Sequence, residues 1–319
     1  MRISVVNGKT TFADARMAHS LSAGIARRES RMIRFSVGRA PAKATSGVAC
    51  SNSCEHWRRL SIRTVTATRY VTPLREGGSL PAIIEADDDG MYVLKFRGAG
   101  QGPKALIAEL LAGEIARAAG LRVPEIVLVE LDPELARTEP DPEIQELIRA
   151  SGGINLALDY LPGSVAFDPV AERVDADLAS SIVWFDSYVT NVDRTPRNTN
   201  MLMWHRRLWL IDHGAALYFH HTWTNYRERS RDSFPLIKDH VLLKLADSLD
   251  EVDSILSERI TPDVIESIVA LIPGDWLVGD SLPGGPGQQR DAYTEYLLNR
   301  LKPPRLFVEE AIRAGSLHV

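Results

Sequence analysis

Cysteine is nearly absent from this 319-residue chain. Cys50 and Cys54 lie four apart near the N-terminus and none follows. A lone C-x-x-x-C pair, with no second cysteine pair to complete a site, is a weak zinc signal. The lack of cysteine elsewhere fits a reducing, cytoplasmic setting. Long apolar runs are missing too. No stretch approaches the roughly 18 uninterrupted apolar residues of a membrane helix, so no membrane partner is expected. Basic charge is scarce over most of the chain. Residues 1–64 hold 12 Lys+Arg and 3 Asp+Glu, and the remainder 25 basic against 39 acidic residues, a balance of −14. So acidic a body argues against nucleic acid as a ligand, and only the basic arm could support a nucleic-acid-binding regulator. No internal repeat is found.

What is present is a chain long enough for two packed lobes, with 45% hydrophobic and 25% charged residues. Residues 1–64 are rich in Arg, Ser and Ala and show no sustained period of 3.6 or 2. They read as a disordered basic arm, as an extension from an early start codon, or as a transit peptide. From Val65 the signals sharpen. "TATRYVTPL", "AIIEA", "MYVLKF" and "VPEIVLVEL" read as strands, with "REGGSLP" and "DDDG" as turns. "ALIAELLAGEIARAAG" reads as a strong helix following the glycine-rich "RGAGQGPK". "INLALDYLPGS" is a short apolar strand that could join two lobes. Beyond it "ADLASSIVWFDSYVTN" is helical, and "NMLMW" and "LWLID" flank "HRR" as a hairpin. "PLIKDHVLLKLADSLDEVDSIL", "TPDVIESIVALI" and "RDAYTEYLLNRLKPPRLFVEEAIRAG" read as helices. The expected fold is α+β and two-lobed. A small antiparallel sheet with one main helix fills residues 65–155, and a hinge and mostly helical part fill residues 156–319.

The stretch "NVDRTPRNTNMLMWHRRLWLIDHG" holds two aspartates in separate polar knots. Phosphoryl transfer from ATP needs few protein groups. One carboxylate orients or deprotonates the attacking hydroxyl, a second holds Mg²⁺, and an amide helps hold metal. A lysine neutralises phosphates and a helix glutamate fixes that lysine. Asp193 and Asn198 have the D-x-x-x-x-N spacing of a catalytic loop. Asp212 follows the hairpin and sits just before His213-Gly214. Lys95 is centred on an apolar strand, where a buried ammonium needs a partner. Glu109 lies in the next helix, and Gly77 and Gly78 lie one strand upstream. Each signal alone has a plainer reading as a turn, strand-edge or solvated residue. Their joint order and spacing point to a kinase.

With "GGSLPA", "KFRGAGQGPKALIAE", "LDYLPG", "NVDRTPRNTN" and "LIDHGAALYFHH", residues 65–319 resemble the HipA-like kinase domain family of bacteria, within the protein-kinase-like and phosphatidylinositol-kinase-like superfamily. Those proteins bind ATP and Mg²⁺ and phosphorylate protein Ser/Thr, in the best-known case a glutamyl-tRNA synthetase. The resemblance implies Asp193 as catalytic aspartate, Asn198 and Asp212 as metal ligands, Lys95 as phosphate lysine and Glu109 as its ion-pair partner. Gly77, Gly78 and Ser79 would form the phosphate-covering loop, with Ser79 a candidate for autophosphorylation. Asp159, Tyr160 and Leu161 would meet adenine. The chain departs from the family in carrying Thr195 where a histidine is usual, and in placing "GAGQGPK" after the lysine strand. The N-terminal subdomain of the HipA toxins is not recognisable in residues 1–64.

Several residues keep two readings. "RGAGQGPK" with Lys104 is an anion nest or a flexible loop. Asn200 is a metal or loop contact or a turn cap. His213 packs or hydrogen-bonds. His220 and His221 are poor joint metal ligands if on a strand, since they would face opposite ways. Arg227, Arg229 and Arg231 grip an acidic substrate or line a solvated loop. The expected partners are ATP and a hydroxyl-bearing substrate such as a protein. A pseudokinase serving as an interaction module is the alternative, though it has no need for all five site residues. An aminoglycoside-type small-molecule kinase is another, but the H-G-D leader of those enzymes is absent and Val192 precedes Asp193.

Overall fold

The computed structural model describes residues 61–74, 80–100, 102–278 and 285–317. Residues 1–60, with Cys50 and Cys54, lie outside the described residues, as do Gly77, Gly78 and Ser79. The fold is mixed α/β. β1 (Thr64–Pro73), β2 (Ala82–Ala86) and β3 (Met91–Lys95) form antiparallel neighbours. Their β2–β3 turn is the predicted "DDDG", where Asp88 Oδ1 accepts from the Gly90 N–H at 3.0 Å and Asp89 takes φ +61°. β4 (Ile126–Leu131) and β5 (Gly153–Asp159) complete the order β1-β2-β3-β5-β4.

The expected small antiparallel sheet needs correction. Thr64–Thr66 pair in parallel with Leu128–Glu130, which closes the five strands into a barrel. Closure leaves neither β1 nor β4 as an open edge, and local strand patterns carry no sign of it. The alternation of β1, with Val65 and Ala67 inward, feeds a barrel core that includes Ile84, Leu94, Val127, Val129 and Ala157.

α1 (Pro103–Ala118) starts at Gly102, φ +67°, with Pro103 in its first turn. It is buried on nearly every side, as a core helix is. Gly113 lets it approach β4, since a Cβ there would lie 2.5 Å from Ile126 Cδ1. The apolar side chains of α1 join those of the later helices in the larger hydrophobic cluster. A 3₁₀ turn (Pro133–Thr138) and α2 (Pro142–Ala150) fill the acidic stretch between β4 and β5.

After β5 come a two-residue strand β6 (Val165–Ala166), α3 (Ala176–Tyr188), and the predicted hairpin of β7 (Met201–Trp204) and β8 (Arg207–Leu210). β6 adds a third strand to the hairpin that its own two residues do not announce. A short helix α4 (Tyr226–Arg229) precedes α5 (Leu249–Arg259), α6 (Pro262–Val269), α7 (Gly285–Leu301) and α8 (Leu306–Ser316).

Three expectations shift here. The helix read from Pro235 onward begins only at Leu249, because His240 and Val241 are drawn to Asp186 and to the Arg194 carbonyl. The run "RDAYTEYLLNRLKPPRLFVEEAIRAG" is two helices, divided at Pro303-Pro304, where no N–H can continue the ladder. "YFHH" is a 3₁₀ turn rather than a strand, with the His220 ring buried and its Nδ1 2.9 Å from Tyr293 Oη.

Candidate active site

Lys95 ends β3 and Glu109 lies two turns into α1. The strand and helix deliver their side chains to one point, where Lys95 Nζ donates to Glu109 Oε2 at 2.6 Å. The same ammonium donates to Asp212 Oδ1 at 2.5 Å. Lys95 is 12% exposed and Glu109 fully buried, while the Asp212 carboxylate is 46% exposed and so faces solvent. Burial alone would lower the Lys95 pKa. The Glu109 and Asp212 carboxylates outweigh it and hold the ammonium above its ordinary value. Burial pushes Glu109 up, but the Lys95 charge and a hydrogen bond from His213 hold it below the usual carboxylate range. His213 donates its backbone N–H to Glu109 Oε2 at 2.9 Å, and its Nδ1 lies 3.3 Å from Oε1. The residue after Asp212 therefore orients the glutamate that orients the lysine.

Asp193 sits in the loop after α3. Asn198 Nδ2 donates to its Oδ2 at 2.8 Å, and Asn200 Nδ2 reaches the same oxygen at 3.4 Å. Asn200 also accepts from the Ile211 N–H at 3.0 Å, at the base of the β7–β8 hairpin. The hairpin thereby ties the Asp193 loop to the residue preceding Asp212, which is the part the intervening turn plays. Asn200 and Asp212 both have left-handed backbone, φ +47° and +56°. That conformation is uncommon outside glycine and is held here by surrounding bonds.

Behind this loop is a buried network that sequence reasoning passed over. Asp186 on α3 accepts from Arg194 Nε at 2.6 Å, from His240 Nε2 at 2.9 Å and from Asn191 Nδ2 at 2.9 Å. His240 Nδ1 accepts from the Leu242 N–H, which leaves Nε2 to carry the proton donated to Asp186. Arg194 also donates through Nη1 to the carbonyls of Thr199 and Asn200, and Asn191 Oδ1 accepts the Asp193 N–H. Burial works to raise the Asp186 pKa, but Arg194 and His240 hold it well below the usual range. A lone acid within the apolar "SIVWFDSYV" was the available signal.

The carboxamide oxygen of Asn198 and Oδ2 of Asp212 have no protein partner among the described residues. Each is the kind of hard oxygen a divalent cation takes. Among the described residues no cluster of three or more His, Cys, Asp or Glu forms a closed metal cage. At the end of β5, the Asp159 and Tyr160 N–H groups are already used, donating to Glu125 O at 2.8 Å and Met91 O at 3.0 Å. The Leu161 N–H is the donor left open there among the described residues. Burial and the Glu125 charge push the Asp159 carboxyl up.

Lys104 donates to the His220 carbonyl at 2.7 Å, so its ammonium ties α1 to the segment after Asp212. The arginine cluster is engaged internally. Arg227 pairs with Glu295, Arg229 with Thr222 Oγ1, and Arg231 with carbonyls from Asn299 to Pro304 at the end of α7. No helix among the described residues is long and apolar enough to cross a membrane.

Comparison with solved structures finds a Helicobacter pylori proinflammatory kinase, CtkA, at 14% identity and a TM-score of 0.47, over 81% of this chain and 99% of that one. The Golgi casein kinase with Mn and ADP bound is similar at 13% identity and a TM-score of 0.41, over 83% of this chain and 77% of that one. No curated protein matches by sequence. The profile of the HipA-like kinases matches residues 68–307, three-quarters of the chain, and spans every element that carries Lys95, Glu109, Asp193 and Asp212. The chain belongs to the HipA-like kinase family.

Proposed function

We propose that this protein is an ATP- and Mg²⁺-dependent phosphotransferase that moves the γ-phosphoryl group to a hydroxyl, on a protein serine or threonine or on itself. The observation that carries this reading is the Lys95 ammonium held between buried Glu109 and solvent-facing Asp212. A lysine so fixed presents one defined charge to a polyphosphate. Asp193, restrained by Asn198 and Asn200, orients the acceptor hydroxyl and takes its proton. The hydroxyl oxygen bonds to the γ-phosphorus as the bond to the β–γ bridging oxygen breaks, and ADP leaves. Asn198 and Asp212 would hold Mg²⁺, which when bound neutralises charge on the phosphate oxygens. Asp159 to Leu161 would receive adenine, with the Leu161 N–H as donor, and Gly77, Gly78 and Ser79 would cover the phosphates. Residues 65–155 and 156–319 would be the two lobes of the kinase-like arrangement. Sparse cysteine and the absence of long apolar runs support action in the cytoplasm.

The test is ³²P transfer from ATP by the full chain with Mg²⁺, with and without added lysate. Wild type is compared with Asp193→Ala and Asp212→Asn. Labelled protein in wild type that is missing in both variants supports the reading. ATP binding without transfer under every condition would favour the pseudokinase alternative, and no ATP binding would remove the site assignment.

A further inference from the structure

A cavity of about 150 Å³ opens beside the Asp193 loop, on the side of Thr190 and Val192. That volume has room for one large side chain, against walls that mix apolar residues with Thr190, Arg229, Asp232, Ser233 and Arg300. Its floor is aromatic, from Phe219, Phe234 and Tyr296, all buried. Its mouth gathers Val192, Tyr218 and Leu236 from three separate segments, and each is among the exposed large hydrophobics, at 37%, 57% and 52%. Apolar residues far apart in sequence that converge at one opening mark a contact site rather than scattered exposure.

The walls are fixed in advance. The Leu217 N–H donates to the Val189 carbonyl at 2.8 Å, which sets Tyr218 against the end of α3. Arg300, 2% exposed, donates to the carbonyls of Ser187 and Tyr188 on one side and of Ser230 and Asp232 on the other. Its guanidinium is spent on holding α3 and the 230–234 segment together, and Arg229 is likewise engaged with Thr222 and Thr224. Arg300, buried and committed through Nε, Nη1 and Nη2, is not left to recognise an acid, while Arg229 commits Nη1 alone. Asp232 is exposed at the rim and repels an acid.

We propose that this cavity is the specificity pocket for the acceptor, and that it takes an apolar side chain, Leu- or Phe-sized, of a peptide substrate. That side chain lies within two residues of the serine or threonine that is phosphorylated. Consecutive Cα atoms are about 3.8 Å apart, so a chain anchored beside Val192 carries its neighbouring residue to Asp193. The inference rests on the phosphoryl-transfer reading and names its substrate class.

The test uses the full chain and serine peptides identical except at one position, scanned from two before to two after the serine. That position carries Leu, Phe, Ala, Asp or Lys. Transfer of ³²P from Mg·ATP is expected to favour Leu or Phe over Ala by about tenfold at one position, with Asp lowest. Leu236→Asp and Tyr218→Ala alter exposed side chains and are expected to bring Leu down to the Ala level. A rise in Tm with Mg·ADP checks that each variant is folded and nucleotide-competent. Three results overturn the pocket: equal transfer to all peptides, a Leu preference kept in both variants, or no peptide labelled by protein that Mg·ADP stabilises. Protein that neither gains Tm from Mg·ADP nor transfers phosphate overturns the kinase reading itself, and the pocket with it.

Discussion

Arg194 Nε donates to Asp186 Oδ2 at 2.6 Å, with both side chains buried, and Arg194 is the residue immediately after Asp193. The pair anchors the loop from within, because Arg194 also holds the Thr199 and Asn200 carbonyls and Asn191 links Asp186 to the Asp193 N–H. Removing one partner of a buried pair leaves the other charge uncompensated, at a cost of about 3–5 kcal/mol. Asp186→Asn is therefore expected to lower unfolding stability by an amount in that range, measured in urea. In the residual folded protein, kcat for phosphoryl transfer should fall while KM for ATP stays within about threefold, since Asp186 touches neither nucleotide nor acceptor. An unchanged kcat would mean the loop keeps its shape without this anchor.

The same carboxylate predicts an acid limit. Its folded pKa lies below the ordinary 3.8, so the unfolded chain binds the proton more readily. The stabilisation is complete above that ordinary value and is lost as pH falls below it toward the folded one. Glu109, lowered from 4.5, adds to the loss in the same direction. Wild-type Tm should hold near neutrality and drop steeply below pH ~4.5, the ordinary range of these carboxylates. Asp186→Asn should start lower and fall less steeply. Parallel Tm curves for the two proteins would contradict the assignment.

Lys95 and Glu109 should behave as a coupled unit. Lys95→Met strands a buried carboxylate, and Glu109→Gln leaves the lysine with only the solvent-facing Asp212. Each single variant is expected to be destabilised, because it leaves one buried charge of the pair without its partner. The double variant should recover about 0.5–3 kcal/mol relative to additivity in a denaturation cycle. All three should lose ³²P transfer.

The β7–β8 turn carries an avoidable cost. His205 and Arg206 are exposed and both have positive φ, +48° and +59°, the geometry of a two-residue turn that favours Asn-Gly. Replacing them as His205→Asn with Arg206→Gly should raise stability by about 1 kcal/mol, the relief of left-handed strain less the entropy that glycine adds to the unfolded chain. Phosphoryl transfer should not change, because the turn lies at the far end of the hairpin from Asn200 and Ile211. A lower Tm would show that the two native side chains contribute contacts beyond the turn.

Much of the candidate site was legible because its parts are locally encoded. Asp193 and Asn198 are fixed by spacing along one loop, and they do meet, at 2.8 Å. Lys95 stood out as a charge in an apolar strand, and such a residue must find a partner. The Asp186 network was not legible in the same way. Its members come from α3, from the loop and from residue 240, and no local pattern ties His240 to a carboxylate 54 residues earlier. The arginines at 227, 229 and 231 left a surface for acids or a solvated loop as readings; in the folded chain Arg227 meets Glu295, Arg229 meets Thr222 Oγ1 and Arg231 meets carbonyls at the end of α7. Which partners these donors meet is a property of the folded neighbourhood, so sequence could not report it.

The sequence by itself determined the strands and most helices, through alternation, helical period, caps and turn residues, and it supplied the residue types that the proposed phosphoryl transfer would use. Tertiary structure alone decided that β1 pairs in parallel with β4 to close the barrel, and that Lys95 bridges Glu109 and Asp212. It also decided that Val192, Tyr218 and Leu236 share one opening. The physical reason is range. Periodicity and capping act over a turn or a strand, whereas barrel closure, buried charge pairing and cavity shape depend on groups brought together only when the whole chain packs.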